Sequence, residues 1–117
     1  MKHLIDKQDL DNHIAYKHIY IENDKIVGMF TISILNDNPV ATFESLWVNP
    51  EYRKLGLAHK MMKEICSTNI PMSCVVLKTN WVDKLYEKYG FDFWYDDDDN
   101  NYKWMKNFKI KHEINSF

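Results

Sequence analysis

The chain is short of the residues that would mark several common protein classes. Two cysteines in 117 residues, Cys66 and Cys74, are too few for a disulfide framework and point to a reducing compartment, the cytoplasm. No segment approaches the roughly 18 consecutive apolar residues of a membrane helix. The opening MKHLIDKQDL also lacks the apolar centre of a secretion signal, so no membrane partner is expected. A net charge of −2 without a basic run argues against a life on phosphate backbones, and nucleic acid is not expected as a partner. The histidines show no ligand spacing: His13 and His18 fall across an element boundary and His59 on a helix surface, so no metal is expected. Glycine is confined to Gly28, Gly56 and Gly90, and arginine to Arg53. What the chain has in quantity is aromatic side chains, four Trp, seven Tyr and six Phe, enough to fill the core of one domain spanning 1–117.

Local patterning predicts a mixed α/β (α+β) fold. Residues 1–17 read as a shortened lead-in, a short helix or irregular segment, because Leu4, Ile5, Leu10 and Ile14 are scattered among charges. From His18 the runs HIYIE, IVGMFTISIL and VATFESLWV are β-branched and aromatic, and Asn23-Asp24 and Asn36 to Pro39 are turn clusters between them. Three antiparallel strands are expected, the third stopped at Asn49-Pro50. Leu57, Met61 and Ile65 then recur at helical spacing, MSCVVL reads as a buried strand, and Val82, Leu85, Tyr86 and Tyr89 form a second helical stripe closed by Gly90. FDFWY and NYKWMKNF supply two last strands around Asp96 to Asp99, and 110–117 reads as a frayed tail. The predicted order is β-β-β-α-β-α-β-β in a mostly antiparallel mixed sheet with a short N-terminal segment.

The junction VNPEYRKLGLAHKMM joins a strand end, a proline stop and a glycine at the mouth of an amphipathic helix. Backbone N–H groups of Lys54, Leu55, Gly56, Leu57, Ala58 and His59 lie where intrahelical partners run out, and the helix dipole adds positive potential. Gly56 and the small Ala58 keep the approach open, and Arg53 adds a fixed cation, a pattern suited to phosphate. An ordinary strand-to-helix turn with a surface arginine fits the same spacing.

Arg53-Lys54-Leu55-Gly56-Leu57-Ala58 resembles the R/Q-x-x-G-x-G/A pyrophosphate loop of the GNAT acetyltransferases, and Val48 to Tyr52 resembles the V-x-P-E-Y that leads into it. Leu85 to Phe91, LYEKYGF, is similar to a second block of that superfamily at the expected distance. The resemblance covers roughly residues 18–108. It implies acetyl-CoA as cofactor, the main chain of Leu46, Trp47 and Val48 pairing with the pantetheine arm, and cofactor contact by Asn80, one place later than the family asparagine. The family opens with a strand and two helices, which about seventeen residues cannot hold at about 1.5 Å per helical and 3.3 Å per strand residue. A cut-down N-terminal lobe implies an open acceptor groove or a partner subunit, including a second copy of the chain.

Acetyl transfer to an amine needs a base and an acid. Glu44 is the candidate base: two-residue alternation sets it on the face of Leu46 and Val48, where partial burial would strengthen it. Its spacing before Arg53 resembles that of the water-relaying glutamate of spermidine/spermine-type acetyltransferases. It could equally face solvent or pair with a lysine. Tyr86 is the candidate acid, its phenol able to protonate the departing thiolate, although its place in the helix stripe also suits a core tyrosine. Cys66 and Cys74 read as small hydrophobes. Asp96, Asp97, Asp98 and Asp99 could concentrate a cationic acceptor, a protein lysine or N-terminus or a polyamine, or could form a solvated hairpin tip. A non-catalytic GNAT-like module that grips a partner protein is the alternative reading.

Overall fold

Asn23 and Asp24 both take positive φ, +52° and +60°, which gives the tight mirror-image turn that suits the twist of paired strands. They join β2 (His13–Glu22) to β3 (Lys25–Leu35), and β4 (Ala41–Val48) lies antiparallel on the far side of β3. The computed structural model describes residues 1–108. After β4 come a short 3-10 turn (Pro50–Tyr52), α1 (Leu57–Cys66), β5 (Met72–Leu77), α2 (Val82–Lys88), β6 (Asp92–Asp96) and β7 (Tyr102–Asn107). The seven strands form one sheet in the order β1-β2-β3-β4-β5-β7-β6, antiparallel except where β4 meets β5. This is the mixed, mostly antiparallel α+β architecture that the sequence predicts.

The N-terminus departs from the expectation. Residues 2–9, read as a helix or irregular lead-in, form β1 (Lys2–Asp9), and β2 begins at His13 rather than His18. β1 pairs with β2 along its whole length, from Lys2 opposite Ile21 to Asp9 opposite Ile14. Its alternation is weak because it is an edge strand with one residue, His3, even partly covered. Lysine and aspartate along such an edge deter pairing with another chain, and the strand is held by its ladder rather than by burial. Three residues, Leu10 to Asn12, connect β1 to β2, so no helix intervenes. The expected frayed tail, 110–117, lies outside the described residues.

The core sits between the sheet and the helices. Leu57, Met61, Met62 and Ile65 of α1 are buried, as the helical spacing requires, against Val27, Phe30 and Phe43. Gly28 lies close beneath the helix: a Cβ there would lie 3.0 Å from Leu57 Cδ2 and 3.2 Å from Met61 Sδ, so these side-chain ends would have to give by a few tenths of an ångström. Leu85 and Tyr86 bury the face of α2, and a Lys103 Nζ to Asp83 Oδ2 contact of 2.8 Å fastens that helix to β7. None of the helices described is long and apolar enough to cross a membrane.

Candidate active site

β4 and β5 part company almost at once. Their parallel pairing is limited to Ala41 opposite Met72 and Thr42 opposite Ser73. That base is tied by a Thr42 Oγ1 to Ser73 Oγ contact of 3.2 Å, with Ser73 Oγ donating to the Ala41 carbonyl at 3.3 Å. Beyond it β4 carries a bulge: Ser45 takes φ +59°, and the stretch from Glu44 to Trp47 spans only Thr31 to Met29 on β3. An unpaired extra residue bends a strand and raises its twist. Among the described residues the β4 edge that turns from β5 therefore has no strand partner from Phe43 onward, so the pair opens toward the carboxyl ends of two parallel strands, the side from which ligands commonly enter α/β sheets.

The bulge also corrects the predicted face of Glu44. Strict alternation groups it with Leu46 and Val48, but the extra residue pairs Glu44 with Thr31 and Trp47 with Met29, while Val48 lies opposite Gly28. Glu44 thus shares its face with Trp47, and it is exposed rather than partly buried.

A cleft of about 210 Å³ opens at the splay, with Leu46, Trp47 and Val48 on one wall, Arg53 and Ala58 at one end, and Asn80, Trp81, Val82 and Leu85 opposite. Six sequence-predicted residues meet there. Val82 and Leu85 were not predicted as site residues; nothing in their spacing distinguishes a cleft wall from a core face. Arg53 Nε donates to the Val48 carbonyl at 3.1 Å, fixing the guanidinium at the strand end. Asn80 Oδ1 accepts from Val82 N–H at 3.1 Å, so this residue holds the turn that enters α2 and also faces the cleft.

At the mouth of α1, Gly56 is the N-cap at φ +82° and no side chain among the described residues caps the helix. Leu55 N–H reaches the Tyr52 carbonyl and Lys60 N–H the Gly56 carbonyl, but the amides of Lys54, Gly56, Leu57, Ala58 and His59 find no acceptor among the described residues. A Cβ on Gly56 would meet nothing within 4 Å among the described residues, which leaves open space beside those donors. Five main-chain donors around a left-handed glycine, with a helix dipole behind them and Arg53 beside them, fit an anion such as a pyrophosphate. The Leu55 amide is already taken by Tyr52, and the His59 ring is tied to Tyr89 Oη at 2.8 Å, so His59 offers main chain rather than side chain.

Tyr86 sits at the base of the splay. Its ring meets Phe43 of β4 edge-on, centroids 5.1 Å apart, and lies near Cys74 of β5. Burial, reinforced by Cys74, pushes the phenol well above its ordinary range, so it keeps its proton throughout neutral pH. Its hydroxyl has no hydrogen-bond partner among the described residues. Burial likewise raises both thiols, Cys66 and Cys74, which leaves them protonated and poorly nucleophilic.

The acidic run is largely occupied with its own turn. Asp96 pairs with Lys78 at 3.1 Å, Asp97 accepts from Trp104 Nε1 at 3.0 Å and from Asp99 N–H, and Asp99 accepts from Asn101 N–H. The turn leans on the β5–α2 connection, where Lys78 N–H donates to the Asn101 carbonyl, next to the segment that brings Asn80 to the cleft.

A family model described as "Acetyltransferase (GNAT) domain" matches residues 14–92, and the chain belongs to that family. Among solved structures it is similar to Escherichia coli ElaA (TM-score 0.68, 15% identity, 80% of this chain and 68% of that one). Ard1 from Thermoplasma volcanium is similar too (0.66, 20%, 78% and 68%). So is the PaiA N-acetyltransferase of Thermoplasma acidophilum, solved with coenzyme A (0.65, 18%, 80% and 60%). At these identities the neighbours speak to the fold. A search of curated proteins finds no match. Family membership supports acyl transfer from an acyl-CoA to an amine.

Proposed function

We propose that the chain moves an acetyl group from acetyl-CoA directly to a primary amine. The observation that carries this reading is the set of five unpartnered amides around Gly56 at the open end of the β4–β5 splay. These amides and Arg53 would hold the pyrophosphate, while the unpaired edge of β4 around Leu46 and Trp47 would take the pantetheine arm as an added strand. Arg53 already uses the Val48 carbonyl, which directs that pairing toward the residues before it. Asn80 faces the same cleft. The bound thioester supplies an activated acetyl group.

Amines near pKa 10.4 must lose a proton before attack. Glu44, exposed beside Trp47, would take that proton through a water, and its exposure suits a relay better than direct contact. Tyr86, held protonated by burial at the base of the splay, would return a proton to the thiolate. A non-catalytic module has no need for open amides or a buried proton donor, so neither feature speaks for it.

The acceptor we favour is a protein lysine or N-terminus, with a polyamine second. The three-residue β1–β2 connection places no helix beside the sheet there, which suits an extended or bulky amine. Free thiols at Cys66 and Cys74 suit work in the cytoplasm. The test is thiol release from acetyl-CoA with lysine peptides, N-terminal peptides and spermidine. Glu44→Gln and Tyr86→Phe should each lower kcat by about 100-fold or more while leaving acetyl-CoA affinity within about twofold. Unchanged kcat in both variants would overturn the role assignment.

A further inference from the structure

Away from the cleft, the β1–β2 pairing and the packing of α1 bring together three side chains that the sequence holds far apart. His3 on β1 and His18 on β2 approach with Nε2 and Nδ1 only 2.9 Å apart, and Glu64 of α1 joins them. The two ring nitrogens and the carboxylate oxygen all lie within 4.8 Å of one another. Both rings are stacked on neighbours, His3 on Tyr20 with centroids 4.3 Å apart and His18 on Phe30 at 4.4 Å. His18 is 6% exposed, whereas His3 and Glu64 are half-buried.

We infer that His3, His18 and Glu64 form a binding site for a divalent transition-metal ion of the zinc type. Two imidazole nitrogens and one carboxylate are a set that zinc takes with water in the fourth position. Ligands at about 2.05 Å in a tetrahedron stand about 3.3 Å apart. The observed separations bracket that value, so small side-chain shifts complete the site. One proton now bridges the two rings; on binding, the donor imidazole carries it on its other nitrogen, and both facing lone pairs turn to the ion. Carboxylate charge offsets the ion in a partly dry pocket.

Two further observations favour a ligand here. Tyr20 Oη is buried with no hydrogen-bond partner among the described residues, and it lies close enough to Glu64 for that charge to act on the phenol. A water brought in by the ion would give this hydroxyl a partner. An apolar groove of about 240 Å³ between Ile5, Tyr16, Ile32 and Ile70 has His18 in its wall and offers a way in. The ion would clasp edge strand β1 to α1, about 12 Å along the helix from Gly56 at 1.5 Å per residue.

The test is calorimetric titration of zinc chloride into the chelator-treated full chain, with thermal unfolding and amide exchange in parallel. One ion should bind per chain at micromolar Kd or tighter, raise the unfolding temperature and slow exchange in β1. His3→Ala and Glu64→Gln, both at half-exposed positions, should unfold like the parent in chelator, weaken zinc at least about tenfold and cancel its stabilisation. His13→Ala should leave binding unchanged. No binding, or binding indifferent to His3→Ala and Glu64→Gln because the ion sits on surface groups elsewhere, overturns the assignment.

Discussion

Placing a side chain on Gly56 separates two jobs that this residue is given. Its φ of +82° costs an L-residue about 1–2 kcal/mol, so Gly56→Ala should lower stability by that amount, about 4–8 °C in a domain of this size. Asparagine enters the left-handed region more readily, so Gly56→Asn should lose less. Affinity for coenzyme A should rank the other way. The Cβ position opens onto free space beside the five amides, where the larger side chain obstructs a pyrophosphate more. Loss of one or two charge-assisted hydrogen bonds at about 1.5 kcal/mol each raises Kd roughly 10- to 100-fold. Alanine should fall at the low end and asparagine at the high end. S-acetylpantetheine, which has no pyrophosphate, should bind all three proteins alike. Calorimetry with both ligands, alongside thermal unfolding, reads both orders. If Gly56→Asn binds coenzyme A as tightly as the parent, or if affinity simply follows stability, the reasoning fails.

Other outcomes follow from the same geometry. Neutralising Asp96 to Asp99 with asparagine should weaken a cationic acceptor at low salt and flatten its salt dependence, chiefly through Asp98, whose carboxylate has no partner among the described residues. An unchanged salt response removes the acidic run from acceptor binding. The hydrogen bond from Lys103 holds Asp83 below its ordinary value of 3.8. The resulting stabilisation is present above that value and lost as pH falls through the lower folded-state one. Asp83→Asn should therefore cost about 1 kcal/mol or less at pH 7 and shrink the acid-induced loss, measured by urea unfolding between pH 7 and 2. Equal acid sensitivity in parent and variant would refute it.

Much of the fold is legible because its signals are local. MSCVVL is β5 to the residue, and the stripes Leu57-Met61-Ile65 and Leu85-Tyr86 are the buried faces of the helices. β1 was not legible, since an edge strand of lysine, aspartate and glutamine owes its form to the neighbour it pairs with. The bulge at Ser45 also left no mark: serine, unlike glycine, does not announce a left-handed position, and one extra residue moves Glu44 to the other face. Arg53, Ala58 and Asn80 were read from short motifs and converge on one cleft, because a helix mouth is a local structure. The meeting of His3, His18 and Glu64 depends on strand register and helix packing together, which no spacing in the chain reveals. The hairpin-tip reading of Asp96 to Asp99 agrees with the turn that Asp97 and Asp99 build, since such side chains commonly bond their own backbone two residues on.

The most direct test of the central claim is an amide-resolved NMR titration of the isotopically labelled chain with coenzyme A. The N–H signals of Lys54, Gly56, Leu57, Ala58 and His59 should shift the most, as unpartnered donors take up phosphate oxygens. If coenzyme A binds and those five signals stay in place while others move, or if it does not bind at all, the site proposed at the mouth of α1 is wrong.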